Sequence, residues 1–261
     1  MRMTNNTVFI TGGCSGIGLA LARAFSKKKN RVIVCDRDQR KVAWTQENNP
    51  DIKSIYWDIT NIEYFDTVYK MLTRDSGGID ILINNASLID EYRFLSGASD
   101  YEKMEELFRV NLFAPIKLTK QFLPMLLKSK CPAVVNIGSP LAYVPRPVAP
   151  LYCASKAALH SLTKSMRSQL KKTPVKVFEV MPPTIDTEMT KNSRVFKIST
   201  DTLAKAVMKG LERNRFEIRV GYSSLLYLGC RLLPGLMDRI AASSILDKRN
   251  PDMHTEVLKK L

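Results

Sequence analysis

Tyr152 and Lys156 stand four residues apart in the segment Tyr152-Cys153-Ala154-Ser155-Lys156, so on a helix they share one face. That pairing has a chemical use. A free tyrosine titrates near pH ~10 and is a poor base at neutrality. An ammonium held close by favours the phenolate and brings the phenol into range for general acid–base work. Ser139 lies upstream, at the end of the apolar run Ala133-Val134-Val135-Asn136-Ile137-Gly138. Its hydroxyl could hydrogen-bond a substrate oxygen as that oxygen turns between alkoxide and carbonyl. Taken singly, a Tyr-x-x-x-Lys pair is a common feature of surface helices.

A second cluster near the N-terminus gives the pair a context. Thr11-Gly12-Gly13-Cys14-Ser15-Gly16-Ile17-Gly18 directly follows the apolar run Val8-Phe9-Ile10 and precedes the helical-looking Leu19-Ala20-Leu21-Ala22-Arg23-Ala24-Phe25. A strand, a glycine-rich turn and a helix start in that order build a phosphate cradle. The glycines let the backbone turn tightly and approach a pyrophosphate, whose charge meets free N–H groups at the helix N-terminus. The spacing is G-x-x-x-G-x-G, a variant of the commoner dinucleotide fingerprint.

The elements that must position these residues alternate along the chain. Strand-like runs fall at residues 8–11, 31–35, 54–58, 81–84, 134–138 and 176–181, with helical stretches at 16–28, 62–73, 101–127 and 151–170. Such alternation predicts a parallel sheet covered by helices on both faces. Gly97-Ala98-Ser99-Asp100 and the stretch 145–150 read as loops on the ligand-binding side of the sheet. A chain of 261 residues with 45% hydrophobic content can bury one sizeable core, and no repeat or linker divides it. One domain over 1–261 is expected.

The combined motifs resemble the short-chain dehydrogenase/reductase family, in its single-domain branch, from about Thr7 to about Arg213. Asn84-Asn85-Ala86-Ser87 stands where that family has N-N-A-G. Asn111 falls on its helical asparagine, and Pro182-Pro183-Thr184-Ile185-Asp186-Thr187 on its P-G-x-x-x-T. The opening residues 3–10 and Ala157-Ala158-Leu159-His160-Ser161 are similar to bacterial oxidoreductases named after the D-alanyl teichoic acid gene cluster. The resemblance implies a doubly wound, Rossmann-type α/β fold and an oxidoreductase that interconverts an alcohol and a ketone or aldehyde. It makes Tyr152 the acid/base, Lys156 its partner and a grip on the nicotinamide ribose, Ser139 the substrate-oxygen ligand and Asn111 the holder of a relay water. It places the cofactor against Gly12, Cys14, Ser15, Gly16, Ile17 and Gly18, against Asn85 and Ala86, and against Pro182, Ile185 and Thr187. It gives the adenine side to Asp58 and Ile59. There are two departures. Ser87 brings a side chain close to the cofactor, and Pro183 stiffens the chain by fixing φ.

Asp36, at the end of the second strand, is spaced to reach the adenosine ribose, where a carboxylate accepts bonds from both hydroxyls and repels a 2′-phosphate. This favours NAD. Arg37, if turned inward, could pair with that phosphate and admit NADP. Five cysteines (Cys14, Cys35, Cys131, Cys153 and Cys230) show no C-x-x-C pairing, and no signal-peptide pattern precedes the first strand, so a reducing, cytoplasmic setting is expected. Cys14 and Cys153 are either small residues filling tight positions or thiols that switch activity. His160 and His254 have no ligand spacing, and no metal is expected.

The net charge of +15 is spread along helices (Lys27-Lys28-Lys29, Lys171-Lys172, Lys259-Lys260) with no arginine-rich arm. Nucleic acid is therefore not expected as a partner; solvated helix faces or attraction to an acidic surface remain. A leucine-rich extension over 222–261 has apolar stretches far short of the ~20 residues that span a bilayer. It could cover an apolar substrate cleft, make a subunit contact in a homodimer or homotetramer, or lie on a membrane surface. The segments 88–100, 141–150 and 191–198 would line the substrate pocket; they are mostly apolar with Arg93, Arg146 and Arg194 among them. A hydrophobic alcohol or ketone is the expected substrate.

Overall fold

A computed structural model describes residues 1–92, 94, 101–187 and 197–243. Its centre is a sheet of seven strands: β1 (Thr7–Thr11), β2 (Arg31–Asp36), β3 (Ile52–Tyr56), β4 (Ile81–Asn84), β5 (Ala133–Ile137), β6 (Lys176–Met181) and β7 (Glu217–Arg219). The strand order is β3-β2-β1-β4-β5-β6-β7 and every pairing is parallel. The order reverses at β1, so the crevice beyond the carboxyl ends of β1 and β4 is where a doubly wound sheet takes a ligand.

Side-chain alternation explains why the sheet is covered twice. Val8, Ile10, Val32, Val34, Ile81, Ile83 and Val135 face one layer with Leu21 and Phe25 of α1 (Gly16–Lys27) and Leu203, Val207 and Leu211 of a later helix. Phe9, Ile33, Leu82 and Val134 face the other, with Leu72 of α3 (Phe65–Ser76) and Leu118 and Phe122 of α5 (Ala114–Lys128). Parallel strands buried on both faces read as continuous apolar runs, which is how the sequence shows them.

Four elements differ from the sequence pattern. The third strand runs two residues earlier than 54–58, because burial continues past the last ladder pair. Trp57 and Ile59 lie beyond the strand yet are buried, Trp57 against Phe9 and Phe65. The helix α2 (Gln39–Asn48) carries little apolar signal; Thr45 is its buried residue, and the Asp38 carboxylate starts it by accepting the Arg40 and Lys41 amides. The stretch 62–73 divides into a 3₁₀ turn (Ile62–Tyr64) and α3. The long stretch 101–127 is not one α-helix: α4 (Tyr101–Phe108) passes through a π-helical turn (Arg109–Phe113) into α5.

Beyond β5, a 3₁₀ turn (Pro140–Ala142) leads to α6 (Pro150–Gln169), whose first residue is the last of the expected loop. Proline is at home there, since the first helical N–H has no partner to lose. After β6 come α7 (Thr200–Glu212), capped by Ser199, then β7, α8 (Ser223–Leu232) and α9 (Pro234–Ser243). Among the described residues no helix is long and apolar enough to cross a membrane.

Candidate active site

The cradle forms where β1 ends. Gly12 and Gly16 take positive φ (61° and 50°), which favours glycine. Gly18 is required by space instead: a Cβ there would stand 2.2 Å from the Gly12 carbonyl oxygen. Ser15 caps α1 with extended backbone and no side-chain capping bond. Helix bonding opens with Leu19 N–H to Ser15 O (3.1 Å), so the amides of Gly16, Ile17 and Gly18 have no intrahelical acceptor and suit an anion. Asn85 closes the crevice from β4. Its Nδ2 donates to the carbonyls of Thr11 and Gly12 (both 2.9 Å), while Thr11 Oγ1 accepts the amides of Asn85 (3.0 Å) and Ala86 (3.1 Å).

The ribose end is acidic. Asp36 Oδ1 accepts the Asp38 amide (3.1 Å) at the tip of β2. Arg37 is not turned inward; its guanidinium pairs with Glu106 of α4, both half exposed. Asp58 Oδ1 binds the Thr60 amide (2.9 Å) and hydroxyl (2.8 Å), and Ile59 beside it is buried. On the opposite wall Pro182 and Ile185 are buried, and Thr187 Cγ2 lies 3.2 Å from where a Gly16 Cβ would be. The glycine turn and the segment after β6 thus meet. The cradle residues fit a dinucleotide: unpaired helix amides, backbone with no room for side chains, and a carboxylate at the ribose end.

The chemistry collects one strand away. Ser139 follows β5 and caps the 3₁₀ turn, its oxygen accepting the Leu141 amide at 3.2 Å. The Tyr152 phenol, on the first turn of α6, is under the electrostatic influence of the Ser139 and Ser87 hydroxyls. Burial pushes the phenol up to about 12, against the lowering pull of those two hydroxyls. Lys156 is buried on the same helix face, its Nζ 5.6 Å from the centre of the Tyr152 ring and donating to Ile137 O at 2.9 Å. Burial lowers its ammonium to about 8, and the buried Glu179 carboxylate on β6 opposes that shift.

Asn111 occupies the π-helical turn, almost fully buried. Its Nδ2 donates to Leu88 O (2.8 Å) and Ser155 Oγ (3.0 Å); its Oδ1 accepts the Leu88 amide (2.7 Å) and the Ser87 hydroxyl (3.0 Å). The structure therefore brings Asn111, Ser139, Tyr152 and Lys156 into one group around α6.

Three participants had no sequence signal. Ser87 is read from the sequence only as a departure, Glu106 is one carboxylate among many on a polar helix, and Glu179 sits in a strand reading as apolar. Glu179 Oε2 bonds His160 Nδ1 at 2.7 Å. The thiols read as packing. Cys14 is buried and pushed up to about 11, chiefly by burial, and Cys153 Sγ accepts the Arg146 amide at 3.2 Å; a raised pKa suppresses the reactive thiolate. Of the expected pocket lining, Tyr92 N–H reaches Val148 O (3.1 Å) and joins the first two segments. Arg93, residues 95–100, Arg194 with the rest of 188–196, His254 and Lys259-Lys260 lie outside the described residues.

A glycine turn at the switch point of a parallel sheet, with a tyrosine–lysine helix facing it, defines a dinucleotide-dependent oxidoreductase. The chain belongs to the short-chain dehydrogenase family, whose model matches residues 6–197; it is an NAD(P)-dependent dehydrogenase/reductase. It is 35% identical over 224 residues to the "uncharacterized oxidoreductase DltE" of Bacillus subtilis, covering 84% of this chain and 89% of that one. It is 33% identical over 190 residues to galactitol 2-dehydrogenase of Agrobacterium fabrum, covering 72% and 73%. In structure it is similar to a short chain dehydrogenase from Burkholderia cenocepacia in complex with NADP, with a TM-score of 0.81 at 27% identity, covering 92% and 99%.

Proposed function

We propose that this enzyme interconverts a hydrophobic alcohol with its ketone or aldehyde, with Tyr152 as the acid/base. The observation that carries the reading is the buried Lys156 ammonium 5.6 Å from the centre of the Tyr152 ring, on a helix packed against the turn that Ser139 caps. A bound nicotinamide supplies or takes up the hydride. In reduction the Tyr152 O–H donates its proton to the carbonyl oxygen, and Ser139 fixes that oxygen from the other side. In oxidation the same phenol oxygen takes the proton back. Lys156 holds positive charge beside the phenol and, with Tyr152, grips the nicotinamide ribose. Asn111 anchors the segment after β4 to α6, so the two walls of the cleft keep their spacing.

NAD is the preferred cofactor in this reading. Asp36 meets the ribose, and Arg37, the residue that could compensate a 2′-phosphate, is engaged by Glu106. The chain acts as one domain in the cytoplasm, as a homodimer or homotetramer. The described part of its extension, residues 222–243, borders the substrate cleft rather than a membrane: α8 lies against the turn after Ser139, and the Tyr227 ring meets Tyr143 edge to face at 5.1 Å. A panel of small and large apolar secondary alcohols and ketones, followed by NADH or NADPH absorbance, tests both substrate class and cofactor. Turnover confined to small polar polyols would overturn the hydrophobic assignment.

A further inference from the structure

Past its first residue β6 is apolar except at Glu179, whose side chain is fully buried. A carboxylate taken out of water needs a nearby cation to stay charged. The neighbouring strand shows the contrast. Glu217, paired with Glu179 in the β6–β7 ladder, is met by Arg219 and, at 3.7 Å, by Arg167. Among the described residues no arginine meets Glu179. Its Oε2 bonds His160 Nδ1 at 2.7 Å, and its Oε1 has no hydrogen-bond partner there.

Two observations place that carboxylate beside Lys156. His160 follows Lys156 by one turn on the same face of α6, so the helix that carries the ammonium also holds the carboxylate. Both charges, moreover, press on one peptide plane. Lys156 Nζ donates to Ile137 O at 2.9 Å, while Glu179 Oε1 lies 3.0 Å from where a Gly138 Cβ would be. The oxygen of residue 137 and the Cα of residue 138 belong to the same rigid plane. Glycine at 138 leaves the carboxylate its room. Lys156 and Glu179 are both buried, so solvent ions screen their attraction little.

The other groups around Glu179 do not answer its charge. Arg167 of α6 and Arg219 of β7 are engaged by Glu217. Tyr143, on the turn after β5, meets the His160 ring edge to face at 5.0 Å. Burial, and after it Glu179, pushes its phenol up to about 12, so it stays neutral. That leaves His160 and Lys156.

We propose that Glu179 is a positioning residue for the reaction: held by His160, it is the buried counter-charge that keeps Lys156 an ammonium beside the Tyr152 phenol. It acts through Lys156, and the inference rests on the reading of Lys156 as the charge that serves the phenol and grips the ribose.

The test follows NADH binding by fluorescence across pH, with no substrate present. An ammonium on the ribose gives tight binding below its midpoint and weaker binding above it, and Lys156→Met should flatten that step. Glu179→Gln keeps the shape of the side chain and removes its charge. Lys156 should then lose its proton at lower pH, by about one unit, tenfold in the ionisation constant. The alkaline limb of kcat/KM for ketone reduction should move the same way. Glu179→Asp keeps the charge, and its midpoint should lie nearer the wild type than that of the Gln variant. His160→Gln keeps a donor for the carboxylate and removes any imidazolium charge, so its midpoint should stay at or above the wild type. A merely structural pair would respond alike to damage at either member. A wild-type midpoint in Glu179→Gln, an equal drop in Glu179→Asp, or a drop in His160→Gln would overturn the role of Glu179. Should the Gln variant at 179 fail to fold, the other two still decide. A binding step that survives Lys156→Met would overturn the reading of Lys156 itself.

Discussion

The cradle and the tyrosine site flank one crevice but are made of different material. The cradle is backbone: carbonyls of Thr11 and Gly12, amides at the start of α1, and glycines present because nothing larger fits. The tyrosine site is side chain: four hydroxyls, one amide and one ammonium, carried by the ends of β4 and β5, a π-helical turn and α6. A backbone site is broken by adding an atom, because the main chain has to move to make room. A side-chain site is broken by removing one, and the scaffold does not notice. The two kinds of damage should be separable in experiment.

The largest effect is expected where one oxygen is removed. Tyr152→Phe should lower kcat by on the order of 10²–10⁴-fold, while cofactor affinity by fluorescence and the melting temperature stay near wild type. A loss of cofactor affinity as large as the loss of rate would erase the contrast between the two sites. Next comes Gly18→Ala, the opposite kind of change. Its Cβ would lie 2.2 Å from Gly12 O and 2.6 Å from Asn85 Nδ2. Overpacking of this sort costs roughly 1–3 kcal/mol, so both cofactor affinity and thermal stability should fall, most visibly as a lower melting temperature. An unchanged melting temperature would mean the turn is softer than its geometry implies.

Smaller effects belong to the ribose end, where side chains and backbone share the work. Asp36→Ala should move the ratio of NADP to NAD efficiency toward NADP by about tenfold, the scale of one charged contact. Equal ratios in the two proteins would remove Asp36 as the discriminator. Glu106→Gln releases Arg37 from an exposed pair, and such pairs contribute little to stability. The melting temperature should therefore not move, and NADP use should rise a few-fold. Failure of NADP use to rise would show that Arg37 does not reach the phosphate even when released.

The same contrast governs what the sequence discloses. Gly12, Gly16 and Gly18 announce the cradle because each backbone demand is met by the residue at that position, and Tyr152 and Lys156 announce themselves because helix periodicity puts neighbours in view. Ser87, Glu106 and Glu179 act on residues far away in the chain, Ser87 on Asn111 and Tyr152, Glu106 on Arg37, Glu179 on Lys156, so no local pattern exposes them. Among the elements, β1, β2, β4, β5 and β6 stand out because both faces are buried. The three-residue β7 is too short for any pattern, and α2 is too polar to show one. The Arg109–Phe113 turn escapes notice because neither glycine nor proline marks it.

A π-helical turn houses one residue more than the α-helix that would otherwise run through the same place. A chain one residue shorter here would run the helix straight through, with Pro115 in its interior and no N–H there for the carbonyl four residues before it. It would also swing one flank by about 100° relative to the other, the angle of a single helical residue. Asn111 would then face away from Ser155 and Leu88. Loss of that residue would leave the cleft without the amide that joins its two walls.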